Sequence, residues 1–426
     1  AEGALTPAAA EGGARVNGGR ALLPQAAWLR PASRNRQIGI GGVLLAGLGV
    51  WLMLPPLGAD LRDHIGAVEI IPAVLGTLAV AAGIWTLARG ERKWGWGAIL
   101  AGVLGIVLGV AAARGSMTHH EAVFVWSSLI AATLRWATPL IFAAMGGLFS
   151  ERSGVVNIAL EGMMLMGAFF GVWGSVRFGH WAFGLLTAMA AGAALALVHA
   201  FFSIHLRADQ IVSGTAINFL ALGLTGYLYI KIYGDEGTPS ELSQIPDVHL
   251  SFLDGVYFIG PIFGRMNLMI WLAFATVLLT WIVVFKTPIG LRIRATGENP
   301  GAADAAGVSV YGVRYGAVTL SGVLAALGGA YLSLGFVGSF GENMTVGRGF
   351  IALAALIFGM WKPFGAMGAA LLFGFSSALA RALPEYSEQA ALLFETLPYV
   401  LTLIAVAGVI GRSIPPAAVG RPYEKQ

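Results

Sequence analysis

Cysteine is absent from all 426 residues of the chain. That excludes disulfides, thiolate metal ligands and thiol nucleophiles. Charge is nearly as scarce: Asp, Glu, Lys and Arg make up 11% of residues, against about 25% in an ordinary soluble domain. The seven His carry no metal-ligand spacing. Phosphate-loop chemistry is also missing. No G-x-x-x-x-G-K-[ST] occurs, and none of Lys93, Lys231, Lys286, Lys362 or Lys425 follows a glycine. His119-His120-Glu121 is not a zinc-protease motif, and Gly307-x-Ser309 lacks the second glycine of a nucleophile elbow. No catalytic residue, metal or cofactor is therefore expected. The net charge of +4 is scattered through loops, which argues against a nucleic-acid partner. No cleavable signal peptide is expected, since the first apolar run starts near Ile38, behind an Ala/Gly/Arg-rich stretch.

What the chain does have is apolar length. It is 57% hydrophobic, and twelve apolar runs stand out: about 38–57, 70–88, 95–113, 122–148, 156–176, 181–203, 211–230, 267–285, 315–337, 349–361, 364–380 and 390–411. Most can cross about 30 Å of hydrocarbon at about 1.5 Å per residue. The pair 349–361 and 364–380 is short and joined by Trp361-Lys362-Pro363, so one or both read as half-helices. The expectation is an all-α, polytopic transmembrane helix bundle of 10–12 spans with short or broken helices near a solute path. Residues 1–37 read as a cytoplasmic, disordered tail. Residues 38–120 read as three peripheral transmembrane helices, 121–411 as the core, and 412–426 as a second cytoplasmic tail. The 60 glycines suit close helix contacts such as Gly105-x-x-x-Gly109.

Loop charge sets an expected orientation. With twelve spans and the N-terminus inside, the inside segments hold 18 Lys+Arg and 8 Asp+Glu, and the outside segments 7 and 12. The Lys/Arg excess favours both termini inside. The acidic, turn-rich loop 231–266 is then outside and is expected to cap the outer mouth.

The stretch Gly146–Ala168, GGLFSERSGVVNIALEGMMLMGA, places Glu151, Arg152, Asn157 and Glu161 between apolar runs. Lipid offers no partner to charge or broken backbone, so this break must line a protein interior or a water-filled path. Asn157 and Glu161 are four apart and share a helical face. Glu161 reads either as an acceptor for freed backbone N–H groups near Gly154, as a group lining the path, or as a proton-coupling carboxylate. Arg135 and Arg152 are the available cations. In 207–218, RADQIVSGTAIN, the uncharged Gln210, Ser213 and Asn218 suit a neutral polyhydroxy or heterocyclic solute, or alternatively interhelical hydrogen bonds. In 334–350, LGFVGSFGENMTVGRGF, Phe336 offers a stacking face and Asn343 a hydrogen-bonding group, or the stretch is a plain outer turn.

The loop 286–314, KTPIGLRIRATGENPGAADAAGVSVYGVR, carries a helix signature. Asn299 is a good N-cap, Pro300 suits the first position, and Gly307 the left-handed position after the last turn. A short helix over about 300–306, with Glu298, Asn299, Pro300, Gly301 and Asp304, suits docking to a soluble partner. An ordinary solvated loop is the other reading.

These segments carry a resemblance. GGLFSERSGVVNIALEGMM, HAFFSIHLRADQIVSGTAIN, GENPGAADAAGV and GRGFIALAALIFGMWKPFGA follow one another as in the permease subunits of bacterial ABC importers for nucleosides and simple sugars, relatives of the ribose and branched-chain amino-acid permeases. The resemblance covers roughly 125–411. It implies an inner-membrane transport subunit and a separate ATP-binding subunit docked on a cytoplasmic coupling helix at GENPGAADAAGV. It also implies an outer solute-binding protein and a second permease subunit. The first 120 residues exceed the core pattern and look like the longer of two paired permeases, which points to a heterodimer. A stand-alone, ion-coupled secondary transporter with Glu161 as coupling carboxylate is the alternative.

Overall fold

The computed structural model describes residues 34–52, 70–115, 126–382 apart from 235–236, 240–241, 255 and 257–258, then 396 and 414–425. The expected span 390–411, most of the tail 1–37 and the segment 412–413 lie outside the described residues. Of the described residues 79% are helical, with almost no strand among them. It divides into two compact units, Ala1–Val123 and Phe124–Gln426.

In the first unit, α1 (Arg34–Leu52), α2 (Ile70–Ala88) and α3 (Arg92–Gly115) pack on one another. The reason lies in where the small residues fall. On α2 the buried positions are Pro72, Gly76, Ala79, Gly83 and Thr86, spaced four and three apart. A Cβ on Gly102 would sit 2.7 Å from the Gly76 carbonyl, so the backbones of α2 and α3 meet directly. Gly105 of the GxxxG pair faces Ala46 of α1. The large residues Ile70, Val74, Leu78, Ile84 and Trp85 point outward and are half or more exposed. Small inside and bulky outside is the pattern of helices whose outer solvent is hydrocarbon.

The second unit starts with α4 (Trp126–Arg152), a 27-residue helix about 40 Å long. After a non-helical stretch come α5 (Leu160–Phe178), α6 (Trp181–Ala200) with a π-helical end at Phe201–His205, and α7 (Gln210–Tyr233). A loop region then carries β1 (Asp247–His249), the short α8 (Ile259–Phe263) and β2 (Arg265–Asn267). β1 and β2 pair antiparallel, Asp247 opposite Asn267. Next are α9 (Leu268–Lys286), α10 (Pro288–Glu298), α11 (Pro300–Ala305) and α12 (Val310–Ala330) with a π-helical end at Tyr331–Val337. α13 (Arg348–Phe358) and α14 (Pro363–Ala382) follow.

Seven of the described helices are long and apolar enough to cross a membrane. α13 is not among them: 11 residues span about 16 Å, half a bilayer core. It is the half-helix of the short pair, and α14 is full length. α4, α5 and α12 form the core. A Cβ on Gly329 would collide with the Met164 carbonyl, and one on Gly167 with that of Ala326, so α5 and α12 touch backbone to backbone.

Candidate functional site

The break expected within Gly146–Ala168 lies at 153–159. α4 runs on to Arg152, and the irregular backbone is 153–159, directly before α5. Residues 153–155, 157 and 159–160 are buried and Val156 and Ile158 half-buried, so their backbone polar groups need protein partners. The structure supplies them one by one. Ser150 Oγ donates to the Val155 carbonyl at 2.8 Å. Gln210 Oε1 accepts from Val156 N at 2.7 Å. His199 Nε2 lies 3.0 Å from the Val156 carbonyl. Asn218 reaches twice: Nδ2 donates to the Ile158 carbonyl at 3.0 Å, and Oδ1 accepts from Gly162 N at 2.8 Å. The last bond caps an orphan donor in the first turn of α5.

Glu161 does the same for a different segment. Its two oxygens accept from Gly347 N at 2.8 Å and Gly349 N at 2.6 Å. These amides open α13, so a carboxylate sits at the positive end of a half-helix inside the protein. Of the readings open from sequence, the acceptor of freed backbone N–H groups fits this geometry, but those groups lie at Gly347–Gly349 rather than near Gly154. Arg152 is not its partner: Arg152 donates through Nη2 to the Trp361 carbonyl at 2.9 Å. Trp361 Nε1 in turn donates to the buried Glu151. α13 is thus held at its start by α5 and just beyond its end by the last turn of α4.

Asn157 is fully buried. Its Nδ2 donates to Ser321 Oγ of α12 at 2.8 Å, while its Oδ1 has no hydrogen-bond partner. Ser213 Oγ lies 3.2 Å from His199 Nδ1. Asn157, Glu161, Gln210, Ser213 and Asn218 therefore gather around one junction. His199 and Ser321 belong to it too, and sequence alone did not single them out.

Phe336 lies apart from that set. With Trp136, Leu332, Val337, Ser339, Gly341, Met344, Arg348 and Arg381 it lines a cavity of about 440 Å³. Trp136 meets Phe336 edge to face at 4.9 Å between ring centres. The guanidinium of Arg381 lies 4.4 Å, and that of Arg348 5.2 Å, from the Trp136 ring centre. Asn343 is exposed, in the left-handed region at φ 53°, and is not among these lining residues. Cavity and junction share one strand of chain. The turn that Glu161 holds at Gly347 also gives Ser339, Gly341 and Met344 to the cavity wall.

At the far end of α9 from the β1–β2 region lie α10 and α11. Thr287 caps α10 by accepting from Gly290 N at 3.2 Å, with Pro288 at the first position. This helix went unpredicted, although Thr-Pro is a legible start signal. Asn299 Oδ1 accepts from Ala302 N at 3.0 Å and opens α11 at Pro300. Gly307 takes φ 81° two residues after the helix ends. Gly301, Ala302, Ala305 and Ala306 are exposed. Gly301 faces open space, its virtual Cβ meeting only Asn299 Oδ1 at 3.6 Å. Glu298 Oε2 accepts from Ala417 N at 3.2 Å, and Asp304 accepts from the Tyr423 hydroxyl.

Residues 129–406 match the family described as branched-chain amino acid transport system / permease component. The guanosine ABC transporter permease protein NupQ of Bacillus subtilis is 44% identical over 320 residues, 72% of this chain and 99% of that protein. The nucleoside ABC transporter permease protein NupC of Lactococcus lactis is 40% identical over 310 residues, 70% of this chain and 96% of that protein. A putative glucose ABC transporter permease protein of Haloferax volcanii, TsgC13, is 37% identical over 257 residues, 59% and 77%. No solved structure matches.

Proposed function

The chain belongs to the branched-chain amino acid transport system / permease component family, and on that premise we propose that it is the membrane-spanning permease subunit of an ABC importer that carries a nucleoside. The observation that carries this reading is the 44% identity to a guanosine permease across almost all of that relative's length. The cavity beside α13 supports it. About 440 Å³ suits a small organic solute. Its walls offer aromatic carbon from Trp136 and Phe336, with the guanidinium of Arg381 for the ring nitrogens and carbonyls of a base.

The rest of the assembly follows. Energy comes from a separate ATP-binding subunit docked on α11, with Glu298 and Asn299 at its root and Gly301 at its open face. A solute-binding protein delivers the nucleoside on the side of the β1–β2 region, taken as the outer side of a bacterial inner membrane, with both termini inside. A second, different permease subunit completes the pathway. Asn157 and Gln210 are the junction's available contacts, since Asn157 Oδ1 and Gln210 Nε2 are buried without a hydrogen-bond partner. In this reading Glu161, Gln210, Ser213 and Asn218 shape the path by holding its broken backbone, and Phe336 and Asn343 lie nearer its mouth. The ion-coupled alternative is not favoured, because the relatives are ABC permeases and both Glu161 oxygens already accept backbone N–H bonds.

The test is uptake into vesicles holding the complete complex. Radiolabelled guanosine should accumulate only with ATP, and excess unlabelled nucleoside should block it while glucose does not. Uptake driven by an ion gradient without ATP, or blocked by glucose alone, would refute the reading.

A further inference from the structure

The described end of the chain, residues 414–425, lies across α10, α11 and the junction rather than free. Ala418 N donates to the Gly297 carbonyl at 2.8 Å, and Ala417 N to Glu298 at 3.2 Å. Gly420 N donates to the Gly154 carbonyl at 3.2 Å. Further on, the Tyr423 ring is buried in a small apolar cluster with Ala303 of α11 and Val310 of α12. It meets Tyr311 edge to face at 5.7 Å. Its hydroxyl donates to Asp304. Burial, then the adjacent carboxylate, pushes that phenol above its ordinary range. Glu424 pairs with Arg207, which precedes α7.

Arg314 joins these contacts from below. It is 1% exposed, among the largest fully buried side chains. Nε donates to the Ser153 carbonyl at 3.2 Å, and Nη1 to the Arg421 carbonyl at 3.1 Å. A buried guanidinium is costly unless its donors are used; Nε and Nη1 are used here, while Nη2 has no hydrogen-bond partner among the described residues. Here one group on α12 ties the first residue of the broken segment 153–159 to the tail. The tail therefore touches α11 on one side and the start of that segment on the other, within about five residues.

We propose that residues 414–425 are a coupling strap: they make α11 and the 153–159 break move together, so that displacement of α11 by its partner reaches the solute path. This rests on the docking reading of α11. The physical ground is that α11 itself is six residues long and caps only its own turns. Gly297 of α10 packs directly against Arg152 and Gly154, and the tail adds hydrogen bonds at Gly297, Glu298 and Asp304 on one side and Gly154 on the other. Arg314 and Tyr423 are its positioning residues.

The experiment uses the full complex in vesicles, comparing the intact chain with a chain ending at Val419, Tyr423→Ala, Tyr423→Phe and Gly301→Trp. Three quantities are read: co-purification of the ATP-binding subunit, ATP hydrolysis, and solute moved per ATP. The strap predicts that the shortened chain and Tyr423→Ala keep the subunit and hydrolyse ATP, yet move about tenfold less solute per ATP, within the usual span of coupling energies. Tyr423→Phe, which keeps the ring, should recover most of the ratio. An unchanged ratio in both the shortened chain and Tyr423→Ala overturns the strap, as does loss of the ATP-binding subunit from either. Gly301→Trp reports separately on docking: if it keeps both subunit and ratio, the docking reading has failed, whatever the tail variants do.

Discussion

The helices α1–α3 and the helices α4–α14 are built from similar apolar letters but solve different problems. The first three have continuous hydrogen-bond ladders, so packing is all they need. Their polar side chains act locally: Thr77 and Thr86 donate to carbonyls four residues back. The core has interrupted its ladders at 153–159 and before α13, and each interruption exposes amides and carbonyls that lipid cannot serve. Asn218, Gln210, His199 and Glu161 are there to serve them. The family match begins at residue 129, and 72% of this chain accounts for 99% of NupQ. The part shared with relatives is thus the part with broken helices.

The comparison predicts where a side chain matters. The largest effect should come from Glu161→Ala, which orphans the buried amide of Gly349, at about 1–3 kcal/mol, and the half-buried amide of Gly347, and frees the start of α13. The purified complex should melt well below the parent and lose uptake. Glu161→Gln keeps one acceptor and should fall between; normal melting and uptake in Glu161→Ala would show that α13 does not need its carboxylate. Next comes Asn218→Ala, which strips Gly162 N and the Ile158 carbonyl. A loss of about 1–3 kcal/mol is expected, visible as a lower melting temperature with solute preference unchanged. In the first unit, Gly41→Leu meets open space and should change stability by less than about 0.5 kcal/mol. Removing residues 1–120 should lower yield or assembly while leaving the choice between nucleoside and sugar intact. A switch of solute on that removal would make the first unit part of the path.

Much of the fold was legible because membrane helices announce themselves by length and apolarity. The run read as 211–230 is helix from Gln210 to Tyr233, and 267–285 is Leu268–Lys286. α11 was legible because its cap residues act within three positions of each other. The strands β1 and β2 were not, being three residues each and set by pairing across the loop. The junction was half legible. Polar residues in apolar runs marked Asn157, Glu161, Gln210, Ser213 and Asn218 as important. The partners of Asn157 and Glu161, namely Ser321, Gly347 and Gly349, lie more than 150 residues away in sequence, and no local pattern carries that. The cavity wall of Trp136 and Arg381 was missed for the same reason, since it forms only when α4 and α14 meet.

The account stands on α11 being the face through which an external ATP-binding subunit drives the path. Gly301→Trp tests that most directly, because Gly301 is exposed and a Cβ added there meets only Asn299 Oδ1, at 3.6 Å. Measured as ATP-dependent nucleoside uptake in vesicles, alongside the melting temperature of the isolated chain, the variant should melt like the parent and lose uptake by at least about tenfold. Parent-level uptake at parent-level stability would contradict the account.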